Sequence, residues 1–337
     1  MTRTTALITG ITGMVGSHLA EYLLAQTDWH IVGLARWRSP LDNLTSLIDR
    51  VNRRDRVELV YGDLRDTMSI HAAVRAARPD YVFHLAAQSF PRTSFDAPLD
   101  TLDTNVQGTV RVLDAVREVN PAAVVHVCSS SEVFGRVPAD KLPIDEECAF
   151  HPASPYAISK AGTDLVGRFY AEAYGLCTLT TRMFTHTGPR RGDVFAESTF
   201  AQQIAMIERD LVPPVVRVGN LDSLRTVADV RDAVRAYHLL VTVDPVPGEY
   251  YNIGGTHTCR VGDILDTLIG MSPRAADIRV EVDPERLRPV DADLQIPNVD
   301  KFVAHTGWKP EIGFEQTMRD LLDHWRAALD RGSYLTR

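Results

Sequence analysis

The sequence predicts an α/β protein, built as a doubly wound parallel sheet with a smaller C-terminal lobe. Three observations carry that expectation. A glycine-rich turn joins an apolar run to a helical pattern at the N-terminus, short buried runs then alternate with helical stretches to about residue 184, and beyond it the alternation breaks up. Residues 1–184 are therefore expected to form one domain that includes a long helix near its end. Residues 185–337 are expected to form mainly the second lobe, with some segments returning to the first domain.

The first strand is Ala6-Leu7-Ile8-Thr9, and it runs into Gly10-Ile11-Thr12-Gly13-Met14-Val15-Gly16 and then a helix. In a dinucleotide cradle Gly10 permits the tight turn and Gly16 lets helix and strand pack closely. Gly13 lets a pyrophosphate approach the backbone at Thr12, Met14 and Val15, at the positive helix end. Three glycines alone fit a plain turn equally well. A second strand, 30–35, ends at Arg36-Trp37-Arg38, where a site preferring NAD would carry an acid for the ribose 2′-hydroxyl. Arginine suits a 2′-phosphate, so NADP is the expected cofactor and Arg36 its reader; a solvated basic loop is the alternative.

The strand 57–61 leads to Gly62-Asp63-Leu64, where Asp63 could bind the adenine amino group with Leu64 beside it. The strand 81–87 brings Leu85, Ala86 and Ala87 to the same edge, while His84 on its apolar stretch reads as packed. Ser89, Arg92 and Ser94 follow at a strand's carboxyl end, where ligands bind in such sheets, and are expected near the substrate. Asn105 opens a helix, 106–119, that faces the crevice in either a capping or a catalytic role, and 123–128 reads as the fifth strand.

Ser129-Ser130-Ser131-Glu132 lies just past that strand, and Tyr156-Ala157-Ile158-Ser159-Lys160 puts a phenol and an amine four residues apart on one helix face. A nearby ammonium, with the cationic nicotinamide, favours phenolate, which makes Tyr156 a workable base for a carbinol proton, and Ser130 can hold the same hydroxyl. Tyr and Lys at this spacing would by themselves mark only an exposed helix face. The preceding glycine loop and serines give them their chemical reading.

These motifs together resemble the extended short-chain dehydrogenase/reductase family over nearly the full chain, with a Rossmann sheet as the implied fold. Within it, several segments are similar to the GDP-mannose 4,6-dehydratases. Gly33-Leu34-Ala35-Arg36 resembles their NADP-reading turn, Ser131-Glu132-Val133-Phe134-Gly135 their catalytic segment and Gly188-Pro189-Arg190-Arg191-Gly192 their arginine loop. Gly219 to Arg225 and Leu287-Arg288-Pro289 resemble their nucleotide-diphosphate contacts.

The resemblance implies that Tyr156, with Lys160 and Ser130, takes the proton of a sugar 4-hydroxyl as hydride passes to NADP⁺. Glu132 then removes the C5 proton and assists loss of the C6 hydroxyl. A structural carboxylate is the alternative for Glu132, since a reductase of the family can also carry an acid there. The resemblance further places Arg191 at the cofactor and Ser89, Arg92, Ser130, Thr185, Arg190, Val218, Arg225, Arg288 and Asp291 at a GDP-sugar. Thr185 stands where relatives commonly have asparagine, and Phe134 where tyrosine is common.

The implied activity is an NADP-dependent GDP-sugar 4,6-dehydratase acting on GDP-mannose or a close relative such as a GDP-heptose. The rivals are a GDP-4-keto-6-deoxyhexose reductase and a non-catalytic NADP-binding regulator. Beyond 185 the helices 195–209 and 229–241, the strand 215–218 and a loop at 185–191 are expected, with Asp293 near Arg288 and Trp308 as a packing anchor. The helices 106–119 and 157–174 are candidates for a homodimer or homotetramer interface.

Composition narrows the alternatives. The chain has 337 residues, 45% hydrophobic and 24% charged, with 36 Lys and Arg against 44 Asp and Glu; the formal net charge of −8 argues against nucleic-acid or anionic-membrane partners. The four cysteines form no CxxC pair, so neither a disulfide framework nor a metal site is expected. The N-terminus runs directly into a strand and no apolar run reaches membrane-spanning length, so a cytoplasmic protein is expected.

Overall fold

The computed structural model describes residues 3–287 and 293–332. Its strands are β1 (Thr5–Thr9), β2 (His30–Ala35), β3 (Val57–Tyr61), β4 (Tyr81–His84), β5 (Val124–Cys128), β6 (Cys177–Met183), β7 (His186–Thr187), β8 (Val215–Val218), β9 (Leu224–Asp229), β10 (Tyr250–Ile253), β11 (His257–Arg260), β12 (Arg279–Val282) and β13 (Leu294–Gln295). Seven of them form one sheet in the order β10-β6-β5-β4-β1-β2-β3, with every pair parallel. A parallel strand is covered on both faces, so β1, β2, β4 and β5 read as nearly continuous apolar runs. The strand order reverses between β1 and β4, and that reversal opens a crevice at their carboxyl ends.

The helix that follows the fifth crossover is well delimited by its own sequence. Ser154 caps it by accepting a hydrogen bond from the Ala157 amide at 3.0 Å, Pro155 occupies the first turn, and Gly175 closes it at φ 69°. It spans Pro155–Tyr174 and lies against β6 and β5.

Past β6 the chain serves both lobes. The helix Val230–Thr242, β10, the helix Asp300–Thr306 and the loop after it contribute Tyr237, Leu240, Ile253, Phe302 and Trp308 to the core beneath β1 and β2. The helices Ala196–Glu208, Val261–Gly270 and Phe314–Asp330 instead enclose a second apolar core with β8, β9 and β11. Trp308 is 1% exposed and donates its indole N–H to the Asp232 carbonyl, as befits an anchor.

Two local expectations change. The stretch 185–191 contains β7, which pairs with β9 and ties the loop to the second lobe. The expected helix 106–119 becomes regular only at Gly108, because Asp103–Gln107 form a wide turn. Within that turn Asn105 is buried, holding both the amide and the carbonyl of Gln88 and the Ser159 hydroxyl, so its side chain joins three elements.

Candidate active site

The crevice deepens into a cleft of about 760 Å³ between the two lobes, within the size range of small-molecule sites. Its floor is the glycine loop. The Gly13 amide donates to the Gly10 carbonyl at 3.0 Å, and Gly10 adopts φ 75°, at a place where a side chain would also press on Ala86. The helix Met14–Gln26 starts with no side-chain cap and no acidic residue in its first turn, leaving its first amides and its positive end for an anion. A Cβ at exposed Gly13 would meet only the Gly10 carbonyl oxygen, at 3.3 Å. Space is therefore left where a phosphate would approach.

Arg190 adds a second feature of this kind. Its guanidinium donates to Glu21 of the same helix at 2.6 Å, while its Nη1 is buried without a hydrogen-bond partner among the described residues. An orphaned cationic donor beside a helix N-terminus fits a dinucleotide's diphosphate. Burial of Glu21 works to raise its pKa, but the bonds from Arg190 and Ser46 prevail and hold it below the ordinary carboxylate value. Arg190, expected on the sugar, is thus bonded to the helix that follows the glycine loop.

The adenosine end is more open. Arg36 and Arg38 are exposed past β2 with Trp37, 79% exposed, set edge-on to Tyr61. Asp63 is engaged by the Arg65 amide and guanidinium; burial pushes its carboxyl up, yet those bonds hold it low. Leu85 and Ala87 line the cleft, and the Leu85 and Ala86 amides donate to the buried Thr9 hydroxyl, which fixes the end of β4. His84 is packed between Thr9 and Thr109, its pKa lowered by burial to about 3. Arg36, Asp63, Leu64 and Ala86 surround the cleft rather than line it, and Thr12 offers its carbonyl to the Asn43 side chain.

The chemical groups stand at the end of β5. Ser130 caps the short turn Ser131–Phe134 by accepting from the Glu132 amide at 3.2 Å, so the serine and the acid share one rigid turn. Glu132 is half-buried, lines the cleft and has no ion pair among the described residues. Tyr156 and Lys160 face it from the helix Pro155–Tyr174, 8% and 5% exposed.

Lys160 donates to the Cys128 carbonyl at 2.7 Å, and burial lowers its pKa. Burial dominates Tyr156 as well and raises its phenol pKa strongly, with the Ser130 hydroxyl opposing. The sequence argument had Lys160 and a cationic nicotinamide together favouring phenolate; in the chain by itself the Lys160 amine donates to a backbone carbonyl and burial outweighs the other influences on the phenol.

On the far wall Thr185 and Val218 line the cleft, and Arg225 reaches in from β9 while bonding the Leu224 carbonyl. Arg191 stacks 3.5 Å from the Phe195 ring and pairs with Glu197 at 3.0 Å. Ser89 lines the near side, and Arg92 donates across the cleft to the Glu285 carbonyl at 2.8 Å. Ser94 is fully buried and bonded to the Pro91 carbonyl, so it is placed away from the cleft. Arg288 and Asp291 lie outside the described residues. Asn43, Phe90, His186, Phe195 and Glu197 line the cleft without having been singled out, for each belongs to a segment with no motif of its own.

A glycine cradle at the switch point of a parallel sheet, with serine, tyrosine and lysine at the edge of β5, defines an extended short-chain dehydrogenase/reductase. The chain belongs to the GDP-mannose 4,6 dehydratase family, whose model matches residues 7–321. It is 34% identical over 330 residues to GDP-mannose 4,6 dehydratase 1 of Arabidopsis thaliana, covering 95% of this chain and 89% of that one. It is also 29% identical to a GDP-6-deoxy-D-mannose reductase of Pseudomonas aeruginosa, covering 95% and 96% of the two chains. The structure of RMD from Pseudomonas aeruginosa complexed with NADPH superposes with a TM-score of 0.80 at 28% identity, over 96% of this chain and 99% of that one. Among the described residues no helix is long and apolar enough to cross a membrane.

Proposed function

We propose that the protein is an NADP-dependent GDP-sugar 4,6-dehydratase that converts GDP-mannose, or a close GDP-sugar such as a GDP-heptose, to its 4-keto-6-deoxy product with loss of water. The observation that carries this reading is the Glu132 carboxylate, unpaired among the described residues and held in the cleft on the turn that also carries Ser130. A reductase has no carbon-bound proton to remove and no need of such a base.

Gly10, Gly13, Gly16 and the first amides of the helix Met14–Gln26 would hold the cofactor diphosphate with Arg190, and Arg36 the 2′-phosphate. Bound there, the dinucleotide supplies hydride acceptance and hydride return. Tyr156 takes the proton of the sugar 4-hydroxyl, and Ser130 fixes that hydroxyl by hydrogen bonding. Lys160, one turn further along the same helix, supplies positive charge that, together with a bound cationic nicotinamide, would favour the phenolate that accepts this proton. The resulting 4-ketone acidifies the C5 proton. Glu132 removes it and delivers a proton to the departing C6 hydroxyl, so water leaves and a C5–C6 double bond forms; return of the C4 hydride to C6 with a proton to C5 would saturate that bond, so the sugar undergoes no net oxidation. Arg225 supplies cationic wall for the nucleotide diphosphate, and Arg191 lies with the cofactor.

The domain division at about residue 184, the homo-oligomer and the cytoplasmic setting belong to the same reading. The reductase is the second reading, favoured by the Pseudomonas aeruginosa relative spanned almost completely by this chain. Purified protein with GDP-mannose and trace NADP⁺ separates the two: a product lighter by one water, without net NADPH, supports the dehydratase. Turnover seen only with a 4-keto-6-deoxy sugar and NADPH makes it the reductase, and a tightly bound cofactor with no turnover on any GDP-sugar makes it the regulator.

A further inference from the structure

Arg182 is the least expected cation in the molecule. It lies in β6, 1% exposed, and grips Asp164, 0% exposed, through two bonds of 2.8 and 3.1 Å. Its third nitrogen donates to the Glu146 carbonyl at 2.7 Å. The flat faces of the guanidinium lie near three rings, Tyr250 at 4.3 Å, Phe150 at 4.7 Å and Phe134 at 5.6 Å.

Each partner belongs to a segment that matters to the cleft. Asp164 follows Tyr156 and Lys160 at successive intervals of four on one helix, so the three share a face. Phe134 ends the turn that carries Glu132, is fully buried, and packs on Phe150 and Phe184. The segment behind that turn is clamped as well: the His151 amide donates to the Val133 carbonyl at 3.0 Å, and Gly135 leaves no room for a side chain against the His151 carbonyl. One buried cation therefore meets both the element carrying Tyr156 and Lys160 and the element carrying Glu132.

A buried ion pair contributes little net stability compared with apolar residues of the same volume, because desolvating both charges offsets their attraction. Its distinctive effect is directional, since a two-pronged guanidinium–carboxylate contact admits few geometries. We propose that Arg182, Asp164 and Phe134 form a positioning junction that sets where the Glu132 carboxylate stands relative to Tyr156 and Lys160. The junction governs C5 proton removal and leaves oxidation at C4 nearly untouched. This rests on the dehydratase reading above. None of the three residues touches the reacting atoms, and a displacement of the base by about 1 Å is enough to slow a proton transfer by up to about 100-fold.

The test uses the full-length enzyme with three variants: Phe134→Leu, Phe134→Tyr and the charge-free double variant Arg182→Met with Asp164→Leu. The double variant avoids the uncompensated charge that either single change would strand. Three readouts are taken on each: calorimetric affinity for the GDP-sugar, the rate of transient cofactor reduction, and the rate of deuterium entry at C5 from D₂O. Phe134→Leu and the double variant are expected to keep affinity and cofactor reduction within about threefold while C5 exchange falls about 10- to 100-fold. Phe134→Tyr, which keeps the ring, restores exchange. If all three readouts fall together, or exchange is unchanged in folded protein, the junction is merely structural and the inference is overturned. If wild-type protein binds the GDP-sugar but shows no C5 exchange at all, the dehydratase reading itself fails and takes the junction with it.

Discussion

Alanine at two glycines of the same loop should have opposite consequences. At Gly16 the added methyl would lie 2.3 Å from the Gly10 carbonyl oxygen and 2.7 Å from the Ile11 Cα. Both are backbone atoms, so no rotamer change relieves the overlap and the loop itself must shift; overpacking of this kind costs ~1–3 kcal/mol. At Gly13 the only near atom is the Gly10 carbonyl oxygen at 3.3 Å and the position is exposed, so a slight give of that one contact accommodates the methyl. The methyl instead occupies the space through which a diphosphate reaches the helix amides. An anion at a helix N-terminus is worth up to ~2 kcal/mol, and at ~1.4 kcal/mol per decade its loss weakens binding about 30-fold.

Thermal unfolding and calorimetric titration with NADP⁺ read the two effects separately. Gly16→Ala should lose several degrees of Tm and its affinity together. Gly13→Ala should keep wild-type Tm and lose about 10- to 30-fold in affinity. A Gly13→Ala protein that binds NADP⁺ as tightly as wild type would refute the cradle, and the loop would then be only a turn.

Other outcomes follow from the cleft and the core. Glu132→Gln should bind GDP-mannose normally and lose water elimination by ~100-fold or more, measured as product mass against time; near-normal turnover removes it as the C5 base. Tyr156→Phe should abolish the absorbance rise of the first cofactor reduction, and a retained rise takes the phenol out of the mechanism. Arg36→Asp should weaken NADP⁺ about 10- to 100-fold while changing NAD⁺ little, since only the former carries the 2′-phosphate; equal losses would mean that another group reads it.

Acid should unfold the protein through its buried histidines. His84 and His126 are held near pKa 3 by burial, against 6.5 when free, so the unfolded chain binds protons that the native state refuses and stability falls as pH drops below 6.5. At pH 5 that is about 2 kcal/mol for each, or about 4 together, relative to pH 7. Urea denaturation at the two pH values checks it, and a flat profile would mean that the histidines are protonated in the folded chain.

Much of the architecture was legible because it is local. β2 and β3 occupy the residues their apolar runs mark, and the helix Pro155–Tyr174 starts and stops at a serine, a proline and a glycine that carry those signals wherever they occur. The doubly wound parallel sheet was legible too, since strands alternating with helices have few right-handed ways to close. Motif spacing nominated Ser130, Glu132, Tyr156 and Lys160, and these do share one cleft.

Other relationships depend on residues distant in the chain. Arg190 meets Glu21 across 169 residues and Arg92 meets Glu285 across 193, so each arginine's role is set by how the lobes dock. Burial is the strongest influence on the pKa of both Tyr156 and Lys160, and spacing could not show it, because desolvation depends on everything packed around a group rather than on its neighbours in sequence. Arg182 reads from the sequence as one more cation in a strand. Only the folded chain surrounds it with Asp164 and three rings, because helix, turn and sheet must already be packed together before a single guanidinium can touch them all.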